Sequence, residues 1–144
     1  MLEKTELTVG MTPSQVELLS SLGTVREFAD GEAIVARTDG AFPLYVIVEG
    51  QVEVQGLFGE VVNVLSGGAL IGEVAFIDRH ARTADAVSKG HSKAIELPED
   101  ILAELQTSHP DIAALMLTNL TRALCKKIRT AQRFIDVQDI GRPE

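Results

Sequence analysis

The stretch Ile71-Gly72-Glu73-Val74-Ala75-Phe76-Ile77, followed by Ala81-Arg82-Thr83-Ala84, combines three devices for holding a phosphorylated sugar. Gly72, with Gly67-Gly68 just before it, lets the backbone approach a ligand closely. Glu73 to Ile77 reads as one helical turn, whose N-terminal N–H groups would face an anion. Arg82 supplies a strong cation shortly afterwards, expected on a returning strand, with the hydroxyl of Thr83 beside it. A carboxylate at Glu73 would repel a phosphate unless it served another group. A ribose hydroxyl is the natural partner, because a carboxylate accepts its hydrogen bond well. The set fits a compact ligand whose phosphate and 2'-hydroxyl lie side by side, the shape of a cyclic 3',5'-monophosphate.

The rest of the chain offers no rival chemistry. His80, His91 and His109 are isolated, without metal-ligand spacing, so neither a metal site nor a cofactor is expected. No local motif supports a nucleophile–base pair, and a sensor rather than an enzyme is expected. The one cysteine, Cys125, lies in an apolar helical pattern and is expected as a small buried side chain in a reduced, cytoplasmic setting. Met1 to Gly10 has charges and no apolar run, and no segment approaches the ~20 apolar residues that span a bilayer. The net charge of -8 argues against direct binding of nucleic acid. Arg122, Lys126, Lys127, Arg129 and Arg133 read as the solvated face of a helix, where cations near the C-terminus are favoured.

The elements that position the central stretch are legible in outline. With 144 residues, the chain suits a single domain spanning 1–144. Thr12-Pro13-Ser14-Gln15 opens a short helix with a capping box, and Gly23 stops it. From about 24 to 97, β-branched runs are punctuated by Asp30-Gly31, Asp39-Gly40, Gly50, Gly56, Gly59 and Gly67-Gly68. That pattern predicts short antiparallel strands in a sandwich or barrel. Val52 and Val54 share one face, and Val62 and Val64 share another, with Asn63 opposite. Helices follow over about 99–136: a short one from Glu99 to Leu105, then a long one opened by Ser108-His109-Pro110-Asp111 and ended by Gly141-Arg142-Pro143. The long helix carries the stripe Leu117, Leu120, Leu124, Ile128, Ala131 and Ile135. That stripe is longer than one small domain covers, so a homodimer through the C-terminal helix is expected.

At these residues the chain resembles the cyclic-nucleotide-binding domain family, the sensor module of catabolite-activator-type regulators, cyclic-nucleotide-dependent kinases and gated channels. Gly72-Glu73-Val74-Ala75 and Arg82-Thr83-Ala84 are similar to the two halves of that family's phosphate-binding cassette. Phe28-Ala29-Asp30-Gly31-Glu32 resembles its early strand and turn. Leu44 to Val54 resembles its central strand-turn-strand, and Pro110-Asp111-Ile112 the start of its C-terminal helix. The resemblance covers about residues 12 to 135. Two positions depart from the pattern. Asp85 stands where a neutral residue is common, and Lys127 and Ile128 stand where some members direct hydroxyls toward the base. Phe134-Ile135-Asp136-Val137 resembles the hinge to a helix-turn-helix domain, for which the chain ending at Glu144 leaves no room.

The resemblance implies a mainly β fold, an antiparallel β-roll or jelly-roll-like barrel with a short N-terminal and a long C-terminal helix. It implies a domain that binds cyclic AMP, or second to that cyclic GMP, and moves its C-terminal helix in response, acting on an effector domain or protein outside this chain. Gly72, Glu73, Val74, Arg82, Thr83 and Ala84 would hold the sugar and phosphate. Val54, Val62, Val64 and Lys127 would face the base. Two alternatives stand beside it: a dimerisation module with a degenerate cassette, and a cupin-like metal enzyme, which the strand pattern alone would fit.

Overall fold

The computed structural model describes the backbone of residues 1–140 and the side chains of residues 1–132. In chain order the elements are α1 (Pro13–Ser21), β1 (Thr24–Phe28), β2 (Ala33–Val35), β3 (Leu44–Gln55), β4 (Val61–Leu65), β5 (Leu70–Ile71), α2 (Glu73–Asp78), β6 (Asp85–Leu97), α3 (Ile101–Ser108) and α4 (Pro110–Ile140). The fold is mainly antiparallel β with flanking helices, as expected. Its spine is the pairing of β3 with β6, running from Leu44 opposite Leu97 to Gln55 opposite Asp85. β1 and β2 pair with β6, and β4 and β5 pair with β3.

Period-2 alternation on these strands makes two cores. On one side Leu44 and Val46 of β3, Leu70 of β5, and Ile95 and Leu97 of β6 pack against the helices. On the other, Tyr45, Ile47 and Val52 of β3, Ile71 of β5, and Ala86 and Ala94 of β6 fill the roll with Phe28, Ile34 and Val35. Short strands were expected throughout, yet β3 and β6 have 12 and 13 residues. Gly50, read as a turn, instead lies inside β3 with a φ of 95°, within the second of two register shifts. A Cβ there would sit 2.6 Å from the His91 carbonyl, so glycine lets the bulged strand hug its neighbour instead of reversing it.

The helices clasp one end of the roll. Thr12 Oγ1 accepts from the Gln15 amide at 3.3 Å, and Gln15 Oε1 accepts from the Thr12 amide at 2.9 Å, closing the capping box of α1. Gln15 Nε2 also donates to Asp111 at 2.8 Å, fastening α1 to the start of α4. α3 begins at Ile101 rather than Glu99, because residues 98–101 form a turn in which the Ile101 amide bonds the Pro98 carbonyl at 3.1 Å.

α4 buries a different face from the one its leucines suggested. Ile112, Ala113, Met116, Asn119 and Leu120 are buried, with Ala123 packed beside them, while Leu117 and Ile128 are exposed and Leu124 is half-buried. The cause is the N-terminal segment, whose charges masked a packing role. Leu2 and Leu7 are fully buried, and Asn119 Nδ2 donates to the carbonyls of Leu7 at 2.7 Å and Val9 at 3.0 Å. Those carbonyls draw the polar side of the helix inward. Cys125 is consequently exposed rather than buried. Ile135, Arg133 and the stop at Gly141-Arg142-Pro143 lie outside the residues whose side chains are described.

Candidate functional site

Gly72 leaves β5 with a φ of 80° and is the residue from which α2 starts. A side chain there would collide with Arg82 Nη1, so this glycine answers both a left-handed backbone and a close approach. α2 then runs for six residues, Glu73–Asp78, slightly longer than the single turn expected. Phe76 N bonds to the Gly72 carbonyl at 3.1 Å, which leaves the amides of Glu73, Val74 and Ala75 without helical partners.

Arg82 is the centre of the site, and it is not on a strand. Arg82, Thr83 and Ala84 form the irregular turn that precedes β6 at Asp85. That placement leaves their backbone groups outside the sheet ladder. The Arg82 side chain is only 3% exposed. Its Nε donates to Asp39 Oδ2 at 3.1 Å, Nη1 to the Gly72 carbonyl at 3.3 Å and Nη2 to the Pro43 carbonyl at 3.1 Å. The guanidinium also lies over the Phe42 ring, 5.6 Å from its centroid. Three acceptors for five N–H groups leave two donors to spare. A buried cation must be met this way, since an unpaired one is strongly destabilising.

Glu73 is the second buried charge, 1% exposed. Its Oε1 is paired with the ammonium of Lys127, which reaches in from α4. Its Oε2 is buried and has no hydrogen-bond partner among the described residues. Lys127 is therefore not part of a uniformly solvated helix face. Arg122, Lys126 and Arg129 around it are exposed, as expected.

Glu73 and Arg82 line one cleft, together with Gly72, Val74, Ala75, Thr83, Ala84 and Lys127. Every residue of the expected cassette is thus brought to one concavity. Val54 and Leu65 form part of its apolar wall. Val62 and Val64, expected there, are 60% and 48% exposed and do not line it. The register explains the correction. Val52 faces Leu65 and Val54 faces Asn63, so Val64 shares its face with Glu53 and points away. A register displaced by one residue sends every side chain to the opposite face, and alternation within one strand does not fix it.

Two further carboxylates, Asp39 and Asp85, shape the site. Asp39 was read only as part of a turn, yet its Oδ2 accepts from both Arg82 and the Ala36 amide, the latter at 2.9 Å. Asp85 does not add free negative charge. It accepts from the Arg37 amide at 2.7 Å and from Arg37 Nη2 at 3.3 Å. Arg79 bridges to Glu99 at 3.0 Å and lies over the Phe76 ring. It ends α2 and ties it to the turn before α3. Among the described residues no three His, Cys, Asp or Glu side chains converge as metal ligands, and no helix is long and apolar enough to cross a membrane.

Comparison with known proteins places this geometry. The family profile described as "Cyclic nucleotide-binding domain" matches residues 25–109, more than half of the chain. The chain is similar to glutaminase 2 of Bradyrhizobium diazoefficiens, at 26% identity over 91% of this chain and 21% of that protein. It is similar to the cyclic AMP receptor protein of Thermus thermophilus, at 28% identity over 89% of this chain and 59% of that one. It also superposes on the crystal structure of the Thermus thermophilus catabolite activator protein with a TM-score of 0.80, at 26% identity, covering 94% of this chain and 63% of the other. The chain therefore spans about a fifth of the glutaminase and about three-fifths of the regulator. The profile match, the roll with its flanking helices and the cleft built on Gly72, Glu73 and Arg82 agree: the chain belongs to the cyclic nucleotide-binding domain family, whose members regulate rather than catalyse.

Proposed function

We propose that the cleft binds a cyclic nucleotide, cyclic AMP before cyclic GMP, and that occupancy repositions α4. The observation that carries this reading is the buried, unpartnered Oε2 of Glu73 in the same cleft as Arg82. A buried acceptor without a donor is costly, and a sugar hydroxyl would relieve it. In this reading the two spare donors of Arg82, the Thr83 hydroxyl and the amides of Glu73 to Ala75 hold the cyclic phosphate. Val54 and Leu65 form an apolar wall beside the base, and Lys127 stands on the α4 side. The cyclic AMP receptor protein among the relatives supports cyclic AMP as the first ligand to try.

A sensor needs an output. α4 carries Lys127 into the cleft, so an occupant that disturbs Lys127 acts on the helix directly. The exposed line Leu117, Cys125 and Ile128, with half-buried Leu124, is suited to a second copy of the chain. The effector is then a domain or protein beyond these residues, in a cytoplasmic setting that keeps the exposed Cys125 reduced. Calorimetric titration with cyclic AMP, cyclic GMP and linear AMP tests the reading. Saturable binding of a cyclic nucleotide, with linear AMP at least tenfold weaker, is expected. Absence of binding by either cyclic ligand overturns it.

One observation favours a second reading. Arg82 already has Asp39, and Glu73 already has Lys127, so the cleft's charges are answered from within. A degenerate module that dimerises without nucleotide would look the same, and the titration separates the two.

A further inference from the structure

Among the described residues, the last firm tether of α4 is an ion pair inside the cleft. The buried face of α4 ends at Leu120 and Ala123, and the next residue on that face, one turn later, is Lys127. Beyond Ala123 the described side chains are exposed apart from half-buried Leu124. Lys126 also meets Glu6, but at 3.8 Å and with an exposed ammonium, a pair worth little. Lys127 is different. Its side chain is 51% exposed along its length, while its ammonium meets a carboxylate that is 1% exposed. Losing such a pair leaves a buried charge behind, so it holds the helix more firmly than any surface pair.

The same carboxylate is the group that the nucleotide reading assigns to the sugar. We infer that Lys127 is a selectivity-determining latch: it holds Glu73 in the ligand-free protein, and only a ligand with a free sugar hydroxyl displaces it and releases α4. This inference rests on the nucleotide reading. Lys127 holds Oε1 of Glu73 and leaves Oε2 open, so a hydroxyl that donates to Oε2 draws the shared negative charge away from Oε1 and weakens the hold of the ammonium. A ligand without that hydroxyl still reaches Arg82 through its phosphate but has nothing to set against Lys127. It occupies the cleft and leaves α4 latched. The sugar hydroxyl thus decides whether binding becomes a signal, and Lys127 is the residue through which it does so.

The test compares cyclic AMP with 2'-deoxy cyclic AMP on wild type, Lys127→Met and Lys127→Arg. Lys127→Met strips a buried carboxylate of its cation, so its fold is verified by thermal unfolding before titration, and Lys127→Arg, which keeps the pair, is the folded reference. In Lys127→Met the hydroxyl meets a carboxylate with no competitor, so the preference for cyclic AMP over the deoxy ligand is expected to rise about tenfold. Lys127→Arg keeps the pair and should keep the wild-type ratio. In wild type, hydrogen exchange of residues 121–132 is expected to change with saturating cyclic AMP and not with the deoxy ligand. The ligand-free Met variant should already show the changed pattern. If Lys127→Met weakens both ligands equally, or leaves their ratio unchanged, Lys127 touches the ligand or nothing, and the latch is overturned while nucleotide binding stands. If wild type binds neither ligand, the nucleotide reading falls and the latch falls with it.

Discussion

Arg82 and Asp39, 43 residues apart in sequence, share a hydrogen bond of 3.1 Å beside the cleft that Arg82 lines. Asp39 holds the guanidinium in place and also neutralises it, so an anionic ligand competes with a carboxylate for the same cation. Arg82→Ala should lower cyclic AMP affinity by about 30- to 4,000-fold, the range for losing a desolvated charge pair worth roughly 2–5 kcal/mol. Arg82→Lys should be intermediate, since an ammonium cannot reproduce the fork. Asp39→Asn keeps an acceptor for Ala36 and removes the competing charge. It is expected to tighten binding about fivefold, equivalent to roughly 1 kcal/mol. Calorimetry reads all three, and weaker binding by Asp39→Asn would mean that orientation outweighs competition. The exposed Lys89 serves as the neutral control.

Gly72→Ala should damage the site and the fold together. The left-handed backbone alone costs an L-residue about 1–2 kcal/mol. The new methyl would also push Arg82 off the Gly72 carbonyl. Denaturant unfolding should register at least the backbone cost, and cyclic AMP affinity should fall as well. A variant as stable as wild type would show that the backbone relaxes at this junction.

Self-association through α4 should be visible by sedimentation. Leu117 and Ile128 are exposed on a face that no other part of the chain covers among the described residues. A dimer is expected at ~100 μM, well above the micromolar range of modest interfaces. Ile128→Glu should return it to monomer without loss of thermal stability. A strict monomer for wild type would remove the dimer from the functional reading.

Stability should decline in alkali through Tyr45, the chain's only tyrosine. Burial, then its hydrogen bond of 2.7 Å to the Glu96 carboxylate, pushes the phenol above its ordinary value of 10.0. The folded state therefore keeps a proton that the unfolded state releases. The corresponding stability is fully present below about pH 10 and is lost as pH rises beyond it. Phenolate absorbance should stay silent until unfolding, and Tyr45→Phe should flatten the stability profile above about pH 10. Free titration of the phenol in the folded protein near pH 10 would contradict this.

The residues that could be read directly are those whose work is local. Thr12 and Gln15 close a cap within one turn, so their types and spacing decide the helix start. Gly72 beside Glu73, with Arg82 a short loop later, carries the signature of an anion site, because one strand-to-helix turn brings them to one cleft. The alternation of Val52 and Val54 likewise announces a strand, the end of β3. Other features depend on which segments meet, and no residue type encodes that. Gly50 reads the same whether it ends a strand or bulges it, until Ser92 lies against it. Val64 alternates correctly yet faces outward, because the pairing of β4 with β3 sets its side. α4 bears two usable stripes, and Leu2, Leu7 and Asn119 chose between them. The partners of the buried charges were hidden for the same reason. A carboxylate such as Asp39 or Glu73 pairs with whatever cation the fold brings within reach, and that proximity is a property of the packed chain alone.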